Sequence, residues 1–338
     1  MSLAVRRAEA GDLDSVQRIW HEAYSSPIAP HPYSHHTDSK LPKISDPGEM
    51  AWIAWSRGLM GKFPSDCFVA DLGGKVIGFE FFEFNEFLTR IVGRRWAELG
   101  ILAVEPGKGG SGVGTHLVKT VMGHVLEDGA EIVGVGTDLD NVNAISCYEK
   151  EGMRTIYSNC IFRERGRVLG KTNTPPNITI RPWRNSDLDD MQRIYMASEE
   201  KNFIEVDKKI PVEAKERFRE EQVRGLLEVV SKGASTCSVA ESGGEVVGFA
   251  IGHVDADFSR GFGTGFAEID CFAVDPSKRG VGIGTALVGQ LLESLMAERG
   301  ATIVDCWVSL NDWSSINCLE KNGCGLAHAT VLLRRWLY

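Results

Sequence analysis

The chain repeats itself at an offset of half its own length. Gly109-Gly-Ser-Gly-Val-Gly114 and Arg279-Gly-Val-Gly-Ile-Gly284 are matching glycine-rich turns, and Gly112 and Gly282 stand 170 positions apart (282 − 112) in a chain of 338. The match extends outward on both sides. Arg6-(x5)-Asp12-Leu13-Asp14 and Val16-Gln17-Arg18-Ile19 have counterparts in Arg181-(x5)-Asp187-Leu188-Asp189 and Met191-Gln192-Arg193-Ile194. Cys67-Phe-Val-Ala-Asp-Leu-Gly-Gly-Lys-Val-Ile-Gly-Phe79 corresponds to Cys237-Ser-Val-Ala-Glu-Ser-Gly-Gly-Glu-Val-Val-Gly-Phe249, Ala97-Glu98-Leu99 to Ala267-Glu268-Ile269, and Cys147-Tyr-Glu-Lys150 to Cys318-Leu-Glu-Lys321. Solenoid repeats have periods of about 20–50 residues. A period this long is instead a duplicated domain, each copy near the usual domain size. Lys171-Thr-Asn-Thr-Pro-Pro-Asn177 is polar, holds two prolines and lacks periodicity, so it reads as a linker. The expected division is residues 1–168, a linker 169–177, and residues 178–338.

Within each copy the patterns predict a mixed α/β domain. Positions 3–8 and 178–183 read as strands, and Asp12 and Asp187 as N-caps of the helices that follow. Segments 20–66 and 196–236 align poorly and are expected to carry each copy's own substrate-side helices and loops. Hairpins are predicted over 67–71/75–82 and 237–241/245–252, turning at Gly73-Gly74 and Gly243-Gly244. Strands at 96–104 and 266–274 lead into the glycine turns. Val113, Leu117, Val121 and Val125 keep helical spacing after the first turn, as do Ile283, Ala286, Leu287, Leu291, Leu295 and Met296 after the second. Strands at 131–137 and 301–309, a helix, and closing strands near 154–163 and 325–335 complete each copy.

Composition bounds the partners. The net charge is −9 and no basic tail or stripe is present, which disfavours nucleic acid and modestly favours cationic substrates such as amines. No apolar run approaches the ~18 residues of a membrane span, and the N-terminal residues show no signal-peptide core. The eight cysteines are scattered without a Cys-x-x-Cys, as expected of reduced core thiols in a cytoplasmic protein.

Strand, glycine turn and helix start together make a phosphate site. Glycines let the backbone approach a ligand and point successive N–H groups one way, and the helix start adds partial positive charge. Dinucleotide and Walker motifs do not fit: Leu287 sits where Gly-x-Gly-x-x-Gly needs its third glycine, and Pro175-Pro176 follow Gly170-Lys171-Thr172.

Val274-Asp-Pro-Ser-Lys-Arg279-Gly-Val-Gly282-Ile-Gly284-Thr-Ala-Leu resembles the acyl-CoA signature of the GNAT superfamily of N-acetyltransferases, Gln/Arg-x-x-Gly-x-Gly/Ala. Asn141-Val-Asn-Ala144-Ile-Ser-Cys-Tyr148-Glu-Lys150-Glu-Gly152 resembles its second signature. The matches span both halves in the family's order, a tandem arrangement similar in architecture alone to that of mycothiol synthase. The resemblance implies that Leu102, Ala103 and Val104, and Phe272, Ala273 and Val274, offer backbone groups to the pantetheine arm of acetyl-CoA, the co-substrate, where the family's strand splays. It implies that Gly109, Gly110, Ser111, Gly112, Val113, Gly114 and Thr115, and Arg279, Gly280, Val281, Gly282, Ile283, Gly284 and Thr285, surround the pyrophosphate. Asn141 is a candidate for ligand contact or a helix cap, and Asn311 for ligand contact.

The copies depart from the pattern differently. In the first, Gly109 replaces Arg/Gln, with Lys108 a partial substitute. In the second, Leu319 occupies the tyrosine position after a one-residue insertion following Asn311. A tyrosine hydroxyl there would protonate the departing thiolate, which leucine cannot do; Cys318 is adjacent to it. Glu98 and Glu268 each stand in an apolar strand, where glutamate is a poor strand former. In one branch of the family a glutamate here is the general base, and a carboxylate in a partly apolar cleft can accept an ammonium proton. The alternative is a solvated or ion-paired edge residue. Tyr148 is the candidate acid, against a core tyrosine, and makes the first copy the slightly better candidate for complete acid–base machinery.

His31, His35 and His36 cluster without accompanying ligands, so no metal is expected. Asp255 and Asp257 are candidates for meeting a cationic substrate, and Trp52, Trp55 and Phe63 for packing or a substrate wall. The expected function is direct acyl transfer from acetyl-CoA to a small-molecule primary amine. The alternative is an acyl-CoA-binding regulatory or scaffold protein with one or both copies non-catalytic.

Overall fold

The computed structural model describes residues 2–24, 63–164, 173–198, 202–233 and 235–337. Along the first half run β1 (Leu3–Arg7), α1 (Leu13–Tyr24), β2 (Cys67–Leu72), β3 (Val76–Phe84), α2 (Glu86–Val92), β4 (Trp96–Val104), α3 (Val113–Glu127), β5 (Ile132–Asp138), α4 (Val142–Lys150) and β6 (Arg154–Glu164). The second half holds β7 (Thr179–Pro182), α5 (Leu188–Ala197), α6 (Val212–Ser231), β8 (Thr236–Ser242), β9 (Glu245–Val254), α7 (Ala256–Phe262), β10 (Gly265–Val274), α8 (Ile283–Glu293), β11 (Ala301–Ser309), α9 (Trp313–Lys321) and β12 (Gly325–Trp336). The mixed α/β fold follows the hydrophobic periodicity closely.

The compact units do not divide where the linker suggests. One comprises Met1–Ser158 together with Ala329–Tyr338, the other Asn159–His328. Within the N-terminal unit the strands run β1-β2-β3-β4-β5-β12, and within the C-terminal unit β6-β11-β10-β9-β8-β7. Each unit therefore takes its sixth strand from the other repeat. β12 pairs antiparallel with β5 from Thr330↔Asp138 to Trp336↔Ile132, and β6 pairs with β11 from Asn159↔Ser309 to Glu164↔Val304. Both closing strands were expected at the right positions; their exchange was not, because a pattern of alternating residues fixes a face and not a neighbour.

Asp12 and Asp187 are not simple helix caps. Each is buried and chelates the arginine six residues before it: Arg6 donates to Asp12 at 2.7 and 3.0 Å, and Arg181 to Asp187 at 2.7 and 3.0 Å. Each also accepts a backbone N–H three residues upstream, from Glu9 at 2.8 Å and Arg184 at 2.7 Å. The repeated Arg-(x5)-Asp spacing is thus a clamp joining the first strand to the turn before the first helix. The aspartates' pKa values are held down by these guanidinium bonds.

In the N-terminal unit α1 covers one face of the sheet, with Ile19 and Trp20 against Phe79 and Phe81. α3 covers the other, with Leu117, Val118, Val121 and Val125 against Phe68, Phe82 and Leu99. In the C-terminal unit α5 and α6 pack Met191, Ile194, Val223 and Val230 onto Val239, Phe249 and Ile251. α6 lies in the divergent segment where substrate-side helices were expected. No helix among the described residues is long and apolar enough to cross a membrane.

Candidate active site

Both sheets fork beside the glycine turns. β4 pairs in parallel with β5 only at Trp96↔Ile132, Ala97↔Val133 and Glu98↔Gly134. β10 pairs with β11 from Gly265↔Ala301 to Ile269↔Cys306. Beyond these points residues 99–104 and 270–274 have, among the described residues, strand partners on one side only, β3 and β9 respectively. An extra residue in the long strand accompanies each fork: the register slips between Leu99 and Leu102 opposite Phe82 and Glu80, and between Ile269 and Cys271 opposite Gly252 and Ile251. Such bulges bend a strand and end its pairing. Leu102, Ala103 and Val104, with Phe272, Ala273 and the Val274 N–H, thereby keep one edge open to a ligand's amides.

The glutamates stand at the crotch of the forks. Glu98 is the last β4 residue paired with β5, and Glu268 is next to last in β10. Both are half-buried, and burial is the first cause lifting each carboxyl above its ordinary value. For Glu98, Glu83 opposite it in β3 adds to the rise, while Asn85 and Arg334 oppose it. Asn85 Nδ2 donates to Glu98 Oε1 at 3.4 Å. Glu268 is pushed up to about 7; burial dominates, His253 opposes it, and Asp305, Asp270 and Asp255 reinforce it.

Reasoning from the sequence missed most of these neighbours. His253 lies directly across from Glu268, and its Nδ1 is 2.9 and 3.1 Å from the carboxylate of Asp270, the bulged residue. That contact raises the His253 pKa. On the other flank Glu268 pairs with Asp305, and Asp305 with Arg163 of β6. The same row in the N-terminal unit reads Glu98, Gly134, Arg334. Arg334, 2% exposed, lies over the Trp96 ring at 4.3 Å. The contrast of Asp270 with Gly100 is visible once the glutamates are aligned; that of Asp305 with Gly134 comes only from the sheet register, since the same alignment sets Asp305 against Val135.

The glycine turns are cradles, with Pro175 Cγ 3.6 Å from a Cβ built on Gly282. Gly110 and Gly112 have φ of 76° and 85°, and Gly280 and Gly282 have 85° and 96°, conformations that favour glycine. A Cβ built on Gly109, Gly110 or Gly280 would meet nothing within 4 Å. Gly112 and Gly282 are the N-caps of α3 and α8, whose first-turn N–H groups, including those of Val113, Gly114, Thr115, Ile283, Gly284 and Thr285, have no partner within the helix. Ser111 and Val281 are exposed at the tips. Gly114 and Gly284 serve packing: a Cβ there would stand 3.4 Å from Cys147 Sγ and 3.2 Å from Cys318 Sγ. Cys318 thus faces α8 and Thr285, whose hydroxyl is 3.7 Å away, and burial raises its pKa. Arg279 Nε donates to the Val274 carbonyl at 3.0 Å, tying the turn to the end of β10. Gly109 provides no such tie in the other unit. These donors and open space fit an anionic pyrophosphate.

Other expected residues have structural duties. Asn141 caps α4, accepting from Ala144 N at 3.2 Å. In the C-terminal unit the extra residue enters ahead of β11 and not after Asn311, since Trp96 pairs with Ile132 but Phe266 with Ile303; the cap is therefore Asp312, which accepts from Ser315 N at 3.2 Å, and Asn311 is displaced from it. Tyr148 is 3% exposed in the core beneath α3, and Leu319 in the matching position is 0% exposed. Glu98 shares the α1 face with Glu83 and Phe81, so Tyr148 and Glu98 lie on opposite faces of the sheet. Asp255 caps α7 through Asp257 N and Phe258 N at 2.8 and 2.9 Å, and Asp257 pairs with Arg260 at 3.2 Å. Phe63 packs on Phe81. His31, His35, His36, Trp52 and Trp55 lie outside the described residues.

Glu80, 0% exposed on the α3 face, has no hydrogen-bond partner for either oxygen among the described residues. Burial drives its pKa well above the carboxylate range, and it in turn raises that of Tyr148, after burial the largest cause. Ala250 holds the matching place in the C-terminal unit.

Comparison with known proteins points the same way as the geometry. The profile of the acetyltransferase (GNAT) family matches residues 14–153 and again 188–324. An uncharacterized N-acetyltransferase of Methanocaldococcus jannaschii is 29% identical over 102 residues, a match spanning 30% of this chain and 45% of that protein. Among solved structures, a GCN5-related N-acetyltransferase from Sphaerobacter thermophilus superposes with a TM-score of 0.62 at 17% identity, over 99% of this chain and 96% of the other. A tandem GNAT protein from the clavulanic acid biosynthesis pathway does so with a TM-score of 0.56 at 14% identity, over 100% and 99%. At these identities the structures share the fold.

Proposed function

The chain belongs to the acetyltransferase (GNAT) family, and from that premise we propose that it transfers an acetyl group from acetyl-CoA to the nitrogen of a small-molecule primary amine, with the C-terminal unit as the principal catalytic site. The observation that carries the reading is Glu268, a carboxyl poised at about 7 at the crotch of the fork, beside a glycine turn with the complete Arg279-to-Gly284 pattern. A base poised near the working pH combines a useful deprotonated fraction with useful proton affinity. Sequence alone leaned toward the first copy because of Tyr148. The core burial of Tyr148 and its separation from Glu98 by the sheet support the second.

Bound acetyl-CoA supplies an activated thioester carbonyl. Around it, Gly280–Gly284 and the start of α8 hold the pyrophosphate. The free edge of Phe272–Val274 orients the pantetheine amides, and N–H groups at the fork stabilise the developing oxyanion. Glu268 accepts the ammonium proton of the acceptor as nitrogen attacks. The thiolate leaves and takes a proton from water. Holding both substrates at one fork contributes much of the acceleration. The acidic surroundings of Glu268 favour a cationic acceptor. The N-terminal unit, with Gly109 in its turn, is an acyl-CoA-binding or scaffolding domain in this reading.

The test is thiol release from acetyl-CoA with a panel of primary amines: an aminosugar, a polyamine, an amino-acid amide and a lysine peptide. Amine-dependent release that Glu268→Gln abolishes, with acetyl-CoA binding retained by calorimetry, is the expected result. Full turnover in Glu268→Gln overturns it.

A further inference from the structure

Resting on the reading of Glu268 as base, we infer that Arg163 and Asp305 are positioning residues of the C-terminal site. The Arg163 guanidinium, delivered by the last strand of the N-terminal repeat, fixes the Asp305 carboxylate beside Glu268 as a fully paired charge.

The geometry is specific. Arg163 Nε and Nη2 donate to Asp305 Oδ1 and Oδ2, both at 2.6 Å, and the two side chains are 1% and 0% exposed. A bidentate fork occupies both carboxylate oxygens. Asp305 therefore cannot compete for the proton that Glu268 takes, and an arginine does not release one. The pair also cancels two charges on the flank of the base. Buried ion pairs are often no better for stability than apolar residues of the same volume, so this one asks for another reason. The molecule carries its own control: the matching row of the N-terminal unit has Gly134 in place of the aspartate, and Arg334 acts there on Glu98 without that intervening carboxylate.

The titratable and charged groups around Glu268 come from every flanking strand. They are Asp270 on β10, His253 on β9 with Asp255 just beyond it, Asp305 and the Cys306 thiol on β11, and Arg163 on β6. The Arg163–Asp305 pair can be unbalanced in either sign by a single substitution.

The experiment uses the full chain labelled with carboxyl-13C glutamate and aspartate, with the Glu268 signal identified by its loss in Glu268→Gln. Asp305→Asn removes the carboxylate while keeping the Arg163 charge and is expected to lower the Glu268 titration midpoint by about one pH unit. Arg163→Met removes the guanidinium while keeping the Asp305 charge and is expected to raise it by about as much. Arg163→Lys, which keeps the charge, is expected to return the midpoint near its original place. The acidic limb of acetyl-CoA thiol release, measured with the best amine of the panel, is expected to move in step. Midpoints that stay fixed, or move the same way in both variants, overturn the inference. In the unaltered protein the Asp305 signal is expected to stay constant while Glu268 titrates; joint titration overturns the inference even if a variant fails to fold. Loss of turnover in Glu268→Gln with unmoved midpoints in the pair variants sinks this inference alone, whereas full turnover in Glu268→Gln sinks the underlying reading.

Discussion

The fork of the N-terminal unit surrounds Glu98 with Glu83, Gly134 and Arg334, and that of the C-terminal unit surrounds Glu268 with His253, Asp305 and Arg163. The backbone is the same: a parallel pairing that stops, a bulge, and a sixth strand contributed by the other repeat. The charges differ. In the C-terminal unit the arginine is consumed by an aspartate before it reaches the base, and a histidine held by Asp270 stands opposite. In the N-terminal unit the arginine acts on the glutamate directly, while a second glutamate faces it. Duplication has preserved the scaffold of a site and varied its electrostatics, the quantity that decides whether a carboxyl can accept a proton near neutral pH.

The largest effect tests how far the units depend on each other's strands. A fragment spanning 178–338, cut at the apparent linker, lacks β6 and leaves Asp305 buried without Arg163. Breaking a buried pair costs about 3–5 kcal/mol, much of a typical domain's stability of about 5–15 kcal/mol. This fragment is expected not to fold. A fragment spanning 154–328, which keeps β6, is expected to fold, as read by circular dichroism and thermal melting. Equal folding of both would break the claim that the exchange is structural.

Next in size is catalysis. Glu268→Gln is expected to lower kcat by about 10²–10⁴-fold, and Glu98→Gln by far less. In the unaltered protein kcat/KM is expected to rise as pH increases through about 7, the value of Glu268, because the base works deprotonated. That limb is expected to survive Glu98→Gln. Its loss in Glu98→Gln would transfer the chemistry to the N-terminal unit.

Binding is the third comparison. Gly282→Glu puts a side chain at φ 96° and an anion against the pyrophosphate cradle. It is expected to remove the tighter of two acetyl-CoA sites in calorimetry, a loss of at least about a hundredfold. Gly112→Glu is expected to remove only a weaker one. Unchanged stoichiometry in Gly282→Glu would reject the ranking.

The smallest effect concerns Glu80, for which the C-terminal unit has Ala250. Its folded-state pKa lies above the ordinary carboxylate value. The neutral acid is therefore the native form, and stability is fully present below about pH 4.5 and lost as pH rises toward the folded-state value, at most about 1.4 kcal/mol per pH unit. Glu80→Met, of similar volume, is expected to melt higher than the parent at pH 8 and about equally at pH 4.5. A lower melting temperature at pH 8 would mean that the carboxyl has a partner this account lacks.

Much of this protein is legible along the chain. The duplication, the strand positions, the glycine turns and the placement of Glu98 and Glu268 in apolar strands follow from local patterns, because hydrophobic period and glycine conformation act over a few residues. The short helices α2 and α7 escaped notice because each spans only two turns. Their signals are a cap, Asn85 or Asp255, and a left-handed glycine, Gly93 or Gly263, which read equally well as loop residues. Tertiary structure alone decided which strand closes each sheet. The Arg163–Asp305 bond joins residues 142 positions apart, and the face and spacing of β6 and β12 are satisfied by either sheet. Strand alternation specifies which side chains turn inward; only the packed sheet chooses the neighbour, and the charge beside each glutamate follows from that choice.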